Sequence, residues 1–246
     1  MDNIDPNHAG RACQRRGRAA DAPPAHRRRF RSPPLAATLA SGLCRRSASG
    51  PFPFFSRELA LGANWFVGLP VDTGRWLAPL VRTAPATVRV FHPEDVHMTV
   101  AFLGAVPQDA AERAWATLQG SRSSPIELSL GGLRPMGNPR RPSALSVLVE
   151  AGNDCVAALI ATLRAPACAA AGARPDDRPP LPHITVARPS RSASPAELRT
   201  AVEWAEAQRP VGAKVLLDRL ALFTWAADRR ERQFRVVAQQ PLAGAG

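Results

Sequence analysis

The sequence predicts an α+β fold in which two pseudo-twofold-related lobes, built of antiparallel sheets with helices outside, close around a central cleft. Three observations lead there. Strand-like and helix-like periods are interspersed through residues 59–246. A pentapeptide occurs twice, as His97-Met98-Thr99-Val100-Ala101 and His183-Ile184-Thr185-Val186-Ala187. The 188 residues from 59 to 246 suffice for one substantial core, or for two small lobes sharing one, and would be cramped as two independent domains.

Residues 1–58 carry Arg clusters at Arg15-Arg16, Arg27-Arg28-Arg29 and Arg45-Arg46 among Pro, Ser and Ala. With no sustained helical or strand period, they read as a disordered tail. The composition suits an organelle transit segment, a non-specific RNA-binding arm, or an over-extended start of the reading frame. The last is preferred, because a signal peptide wants a longer apolar centre. Order is expected in 59–246, beginning at Asn64-Trp65-Phe66-Val67-Gly68-Leu69-Pro70, an aromatic and β-branched run closed by Pro. A second extended piece spans 87–91, and the first motif strand spans 96–103. Pro107 marks a helix start, with Ala111, Ala114, Trp115 and Leu118 on one face before Gly120 ends it.

Residues 126–130 and 144–150 alternate as strands, separated by a Gly/Pro/Arg-rich stretch over 131–142 that reads as a long loop suited to binding. Asn153 or Asp154 is expected to cap a helix through Ala157, Ala158, Ile160 and Leu163, which Pro166 would kink or end. Pro179-Pro180-Leu181-Pro182 delivers the chain to His183 in extended form. Ser194 and Pro195 open a further helix through Leu198, Val202 and Ala205. Residues 211–224 contain a long strand, and a turn over 226–231 leads to a closing strand over 233–238.

Eleven of the 32 basic residues but four of the 20 acidic ones fall in 1–58, so the excess charge divides as +7 in the tail and +5 in the remainder. Thirty-one Arg against one Lys, no Tyr and 25 Pro indicate GC-rich coding bias. A basic body still favours anionic ligands such as nucleotides or RNA over cationic ones. Cys13, Cys44, Cys155 and Cys168 form no C-x-x-C pair, which argues against a disulfide framework or a thiolate zinc site. Small buried thiols in a reducing cytoplasm are expected instead. No run approaches the roughly 20 apolar residues of a membrane-spanning helix.

On a strand, residues two apart share a face, so the His and Thr of each pentapeptide look the same way, about 6.6 Å apart. Met98, Val100, Ile184 and Val186 then face the buried side. Two such strands side by side would gather two imidazoles and two hydroxyls around one small ligand. Imidazole, with an unperturbed pKa near ~6.5, serves as acid or base near neutrality, as phosphodiester chemistry requires. One neutral His can take a proton from water while the other, protonated, donates to a departing ribose oxygen, with no metal. Thr99 and Thr185 can donate hydrogen bonds to the non-bridging oxygens. A lone strand His is more often structural, but a repeat with the same neighbours weakens that reading. His92 has no repeat and reads as a loop or strand-edge residue, and His8 and His26 lie in the tail. A metal site is disfavoured, because the paired residues are Thr and the nearby Glu94 and Asp95 have no counterpart in the second copy.

These motifs resemble those of the 2H phosphoesterases, defined by two His-x-(Thr/Ser)-x motifs, and within them the bacterial and archaeal RNA 2',3'-cyclic phosphodiesterases, historically called 2'-5' RNA ligases. The likeness extends over residues 65–70, 96–104 and 182–188 and covers about 62–240. It implies a bilobal 2H phosphoesterase-like fold and metal-independent hydrolysis of a terminal 2',3'-cyclic phosphate to a 2'-phosphomonoester, with no cofactor. It implies His97 as proton donor, His183 as proton acceptor, and Thr99 and Thr185 as phosphate ligands. The motifs themselves are nearly interchangeable and leave the two histidine roles open. Arg188 follows the second motif as in that subgroup, although strict alternation turns it away from the His face. Arg140 and Arg141, in the long loop, are further candidates to grip the nucleotide, against a reading of all three as solvated surface arginines. Phe102 and Trp65 are read as core residues before base-stacking ones. Asn64 stands where the subgroup often has Arg or Lys.

Two alternatives use the same cleft: reversible 2'-5' joining of RNA ends, and a non-catalytic nucleotide- or RNA-binding module assisted by the basic tail. The expected partner is an RNA or oligonucleotide ending in a 2',3'-cyclic phosphate, not a membrane. The chain is expected to be cytoplasmic and monomeric.

Overall fold

The computed structural model describes residues 62–208 and 212–243. The expected tail over 1–58, with Cys13 and Cys44, lies outside the described residues. Among the described residues nine antiparallel strands form one sheet: β1 (Trp65–Pro70), β2 (Val88–Val90), β3 (His97–Gly104), β4 (Ile126–Asn138), β5 (Arg141–Ala151), β6 (His183–Pro189), β7 (Lys214–Leu217), β8 (Arg219–Trp225) and β9 (Phe234–Pro241). Their order is β7-β4-β5-β6-β3-β1-β8-β9, with β2 added beside β6. The two motif strands are therefore central neighbours, each the inner edge of a four-strand half. They pair through Met98 and Ile184, the residues between His and Thr in each copy. The two expected lobes are halves of this continuous sheet.

Among the described residues four α-helices accompany the sheet: α1 (Leu77–Thr83), α2 (Gln108–Leu118), α3 (Asn153–Ala171) and α4 (Pro195–Ala207). Helices α2 and α3 pack together against the β1–β3 half, and α4 packs on β4 and β5. The apolar core between helices and sheet contains Val67 and Leu69 of β1, Met98 and Val100 of β3, and Ile184 and Val186 of β6. The α4 start follows the sequence closely: the Ser194 hydroxyl accepts from the Glu197 N–H and the Glu197 carboxylate accepts from the Ser194 N–H, with Pro195 in the first turn.

Four expectations are corrected. The stretch over 131–142 is not a loop but the distal part of the β4–β5 hairpin, which turns at Pro139-Arg140. Gly131 and Gly132 fall at the register shift between Leu130 and Leu133, and Gly137 and Pro142 at the one after Met136, where bulges tolerate residues that interrupt a regular ladder, whereas Pro135 sits in regular register opposite Leu145. Neither Asn153 nor Asp154 caps α3: Gly152 does, at φ 85°, and a Cβ there would come within 2.6 Å of the Glu127 carbonyl oxygen. Pro166 does not end α3, which runs on to Ala171 before Gly172. The strand expected over 211–224 is two, broken at Asp218: β7 joins β4 at one end of the sheet and β8 joins β1 in the other half. A continuous apolar run cannot report which partner each half of it finds.

Helix α3 is also long and apolar enough by composition to cross a bilayer, contrary to the sequence reading. It instead sets Val156, Leu159, Ile160, Leu163 and Ala167 into the core beside β3. Of the two described cysteines, Cys168 is buried as expected, whereas Cys155 is exposed.

Candidate active site

The burial pattern of the two motif strands repeats as their sequence does. In each, the residue after His is buried, Thr turns out of the core, the next two residues are both buried, and the fifth residue after His is exposed. The cause is a β-bulge at the same place in both copies. Val67 pairs with Ala101 and Gly68 with Thr99, leaving Val100 without an opposite number on β1. Likewise Leu145 pairs with Ala187 and Ser146 with Thr185, leaving out Val186. One extra residue reverses the alternation beyond it. Phe102 and Arg188 therefore join the His and Thr face, and Ala101 and Ala187 turn inward.

This corrects two expectations. Arg188 faces the histidines rather than away from them, close enough that its charge acts on His97. Phe102 is 57% exposed instead of in the core, whereas Trp65 is buried as expected.

Extending the Met98–Ile184 register one residue each way sets His97 opposite Thr185 and Thr99 opposite His183. Both imidazoles are oriented by the same device. His97 Nδ1 bonds the Asp95 carbonyl oxygen at 2.6 Å, and His183 Nδ1 bonds the Leu181 carbonyl oxygen at 2.7 Å, each two residues upstream. A carbonyl only accepts, so Nδ1 carries the hydrogen and Nε2 of the neutral ring is left as the proton-accepting nitrogen. The Thr185 hydroxyl is fixed in turn by the fully buried Ser146, Oγ to Oγ1 3.0 Å.

The surroundings of the two rings differ. His97 is buried, stacked on Phe66 (centroids 4.6 Å apart), with Phe223 at 5.1 Å and the edge of Phe234 at 5.3 Å. Phe66, Phe223 and Ala221 form a small apolar cluster on the cleft side of the sheet. Burial disfavours the imidazolium and pushes the His97 pKa down to about 4; the Asp95 carbonyl and carboxylate resist this, while Arg188 and His183 reinforce it. His183 is more exposed and, with Thr99, lines a cavity of about 570 Å³ whose walls include Phe102, Ile160, Arg164 and Leu181.

The two motifs thus meet at the sheet centre, each bringing an imidazole whose Nδ1 is held by a carbonyl two residues upstream. The sequence model of the 2'-5' RNA ligase superfamily matches residues 81–229, which span both motifs. The chain belongs to the 2'-5' RNA ligase superfamily, the 2H phosphoesterases. Among solved structures of that fold, E. coli LigT complexed with 3'-AMP superposes with a TM-score of 0.58 at 17% identity, covering 74% of this chain and 98% of that one. A Thermus thermophilus protein superposes with a TM-score of 0.57 at 21% identity, covering 74% and 100%. No curated protein gives a significant match.

Within this 2H phosphoesterase cleft, the three arginines named from sequence are placed differently. Arg188 lies beside His97, its guanidinium over the Phe91 ring at 5.6 Å. Arg141 opens β5 and donates to the Arg191 carbonyl oxygen. Arg140 sits at the exposed hairpin tip, its backbone N–H bonded to the Asn138 side chain. His92 caps the short 3₁₀ turn Pro93–Asp95, its Nδ1 accepting from the Glu94 N–H.

Sequence reasoning missed Ser146, the Phe66, Phe223 and Phe234 surround, and the role of Asp95. The Asp95 carboxylate is fully buried and accepts the backbone N–H groups of Gln233 (2.8 Å) and Phe234 (3.0 Å). It ties the closing strand to the His97 strand. Strand alternation could have placed Phe66 and Gly68 on the cleft face; nothing local links Asp95 to residues 138 positions away. Among the described residues no three His, Cys, Asp or Glu side chains gather as a metal-binding set.

Proposed function

We propose that this protein hydrolyses the terminal 2',3'-cyclic phosphate of an RNA to a 2'-phosphomonoester, with His97 and His183 as its acid and base. The observation that carries the reading is the pair of imidazoles, each with Nδ1 engaged by a carbonyl two residues upstream, on neighbouring strands that share one cleft.

In this reading His183 Nε2 removes a proton from water as the water oxygen attacks phosphorus. The bond from phosphorus to the ribose 3' oxygen breaks, and that oxygen takes a proton from His97. Thr99, Thr185 and Arg188 donate to the non-bridging oxygens, and the terminal nucleoside occupies the cavity beside Phe102. The free protein keeps His97 neutral at pH 7. The negative charge of the bound cyclic phosphate favours the imidazolium, so substrate brings His97 toward its donor form. General acid and base catalysis are each typically worth about 10²- to 10⁴-fold.

The test incubates a 2',3'-cyclic-phosphate-ended oligonucleotide with the protein in EDTA and identifies the product by NMR. A 2'-phosphate is expected, with kcat reduced at least ~100-fold in His97→Ala and in His183→Ala. Full activity in either variant refutes the assignment, and a joined 2'-5' product favours ligation at the same site.

A further inference from the structure

We propose that the arginines flanking Arg188 form a binding surface for the sugar-phosphate backbone of a single RNA strand upstream of its cyclic end, making polynucleotide ends better substrates than cyclic mononucleotides. The second half of this statement rests on the reaction proposed above; the binding surface does not.

Six arginines from separate segments converge there. Arg89 on β2 is the register partner of Arg188 on β6. The Arg89 guanidinium donates to the carbonyl oxygens of Arg229 and Arg230, at 3.0 and 3.1 Å, in the turn between β8 and β9. Arg141 donates to the Arg191 carbonyl oxygen in the segment before α4. The charges of Arg191 and Arg229 in turn reach Arg188, whose pKa is lowered first by burial and then by these two neighbours. Strand register holds Arg89 beside Arg188, and guanidinium bonds from Arg89 and Arg141 to backbone carbonyls bring Arg229, Arg230 and Arg191 to the same region.

Among the described residues there are six ion pairs, and none involves Arg89, Arg141, Arg188, Arg191, Arg229 or Arg230. The acidic groups of the adjoining turn are fewer than its arginines and form no ion pair with these six: Asp228 accepts from the Arg230 N–H, Glu231 is exposed, and Glu94 is paired with Arg232. Two of the guanidinium groups lie on aromatic rings, Arg188 on Phe91 and Arg229 on Trp225 at 4.3 Å, a geometry that keeps N–H edges available for anions. Clustered guanidinium groups without carboxylates repel one another, and a repeating polyanion relieves that repulsion while releasing its own counterions.

The opposite rim of the cleft supplies the contrast. The cavity beside His183 also has Arg174 and Arg178 on its wall, but Asp177 and Asp176 pair with them. Of the arginines on that wall only Arg164 lacks an ion pair, and it donates to the Asp176 and Arg178 carbonyl oxygens, so unpaired arginines are more numerous on the β2 side. A terminal nucleoside in that cavity and a cyclic phosphate between the histidines leave the preceding phosphates to cross toward Arg188, Arg191 and Arg229.

The experiment compares the full chain with its Arg191→Ala/Arg229→Ala double variant, which keeps the backbone carbonyls that Arg89 and Arg141 grip. Because both proteins carry residues 1–58, their difference isolates the surface. Anisotropy of a labelled single-stranded RNA decamer ending in a 3'-hydroxyl is followed against NaCl. In parallel, kcat/KM is measured for a decamer with a cyclic end and for 2',3'-cyclic AMP. The variant is expected to bind the decamer at least tenfold more weakly, with a salt slope shallower by about 0.7 per lost phosphate contact. Its preference for the decamer over the mononucleotide is expected to fall at least tenfold. Equal decamer affinity and slope in the two proteins overturn the surface. Equal wild-type kcat/KM for the two substrates overturns the substrate preference. Lost decamer binding in the variant, with no turnover of either substrate by wild type, sustains the surface and sinks the reaction.

Discussion

His97 combines two features that pull against each other, a protonatable ring and an almost wholly apolar setting of Phe66, Phe223 and Phe234. Its folded pKa of about 4 lies below the ordinary 6.5, so the unfolded chain binds the extra proton first. The sign follows: this ring makes stability rise with pH between the two values, and the contribution is lost as pH falls from about 6.5 through about 4. A gap of that size corresponds to roughly 3 kcal/mol once pH is below both values. Chemical denaturation of wild type and His97→Gln across this window should show a steeper pH dependence in wild type, and NMR should find the ring titrating near 4. Adding inorganic phosphate should move that titration upward. A His97 midpoint at 6.5 without ligand would contradict the buried, apolar setting.

The strand β1 shows how an element serves the site through what it lacks. Gly68 pairs with Thr99 and passes directly beneath the His97 ring: a Cβ there would stand 3.0 Å from the Met98 carbonyl oxygen, 3.4 Å from Phe223 Cε2 and 3.5 Å from His97 Cδ2. Gly68→Ala should therefore push on the Met98 carbonyl, in the backbone that carries His97, while meeting the ring itself only at ordinary contact distance, costing about 1–3 kcal/mol as overpacking. The expected kinetic signature is a fall in kcat of about tenfold or more, since small misplacements of a reacting group are costly. An unchanged kcat together with an unchanged Tm would mean the strand yields without moving His97. Residues 64–70 were legible as a strand because aromatic and β-branched residues end at a proline. The bulges at Val100 and Val186 were not, because a bulge is a property of two strands and its signal is split between them. That is why strict alternation puts Arg188 and Phe102 on the wrong face, although the residue after each His is buried as alternation predicts. The β4–β5 hairpin is hidden for the same reason: Gly131, Gly132, Gly137 and Pro142 read as loop residues until β5 supplies the register shifts that accept them.

On the scale of the whole molecule, the duplicated pentapeptide was enough to predict two halves about a cleft, because a repeated His-x-Thr strand leaves few other ways to use both copies. What it could not reveal is how the chain's end returns to the first motif. Asp95, two residues before His97, accepts two backbone N–H groups from the start of β9 and so fixes Phe234 against the His97 ring. Its carbonyl orients that ring and its negative charge favours the imidazolium. One residue thereby couples closure of the sheet's outer edge to the state of the central cleft. Asp95→Asn keeps the size but offers an amide N–H₂ where one of the two backbone donors now finds an oxygen, leaving a buried donor unpaired at a cost of about 1–3 kcal/mol. Loss of the anion also removes an influence that raises the His97 pKa, which should fall below its wild-type value. Hydrogen exchange at Gln233 and Phe234 should accelerate in this variant while amides of the β4–β5 hairpin, in the other half, keep their protection. Unchanged exchange at Gln233 and Phe234 would show that β8 alone secures β9, and an unchanged His97 titration would show that the Asp95 charge does not act on the cleft. Both changes together identify Asp95 as the residue through which folding of the closing strand sets the chemistry of the first histidine.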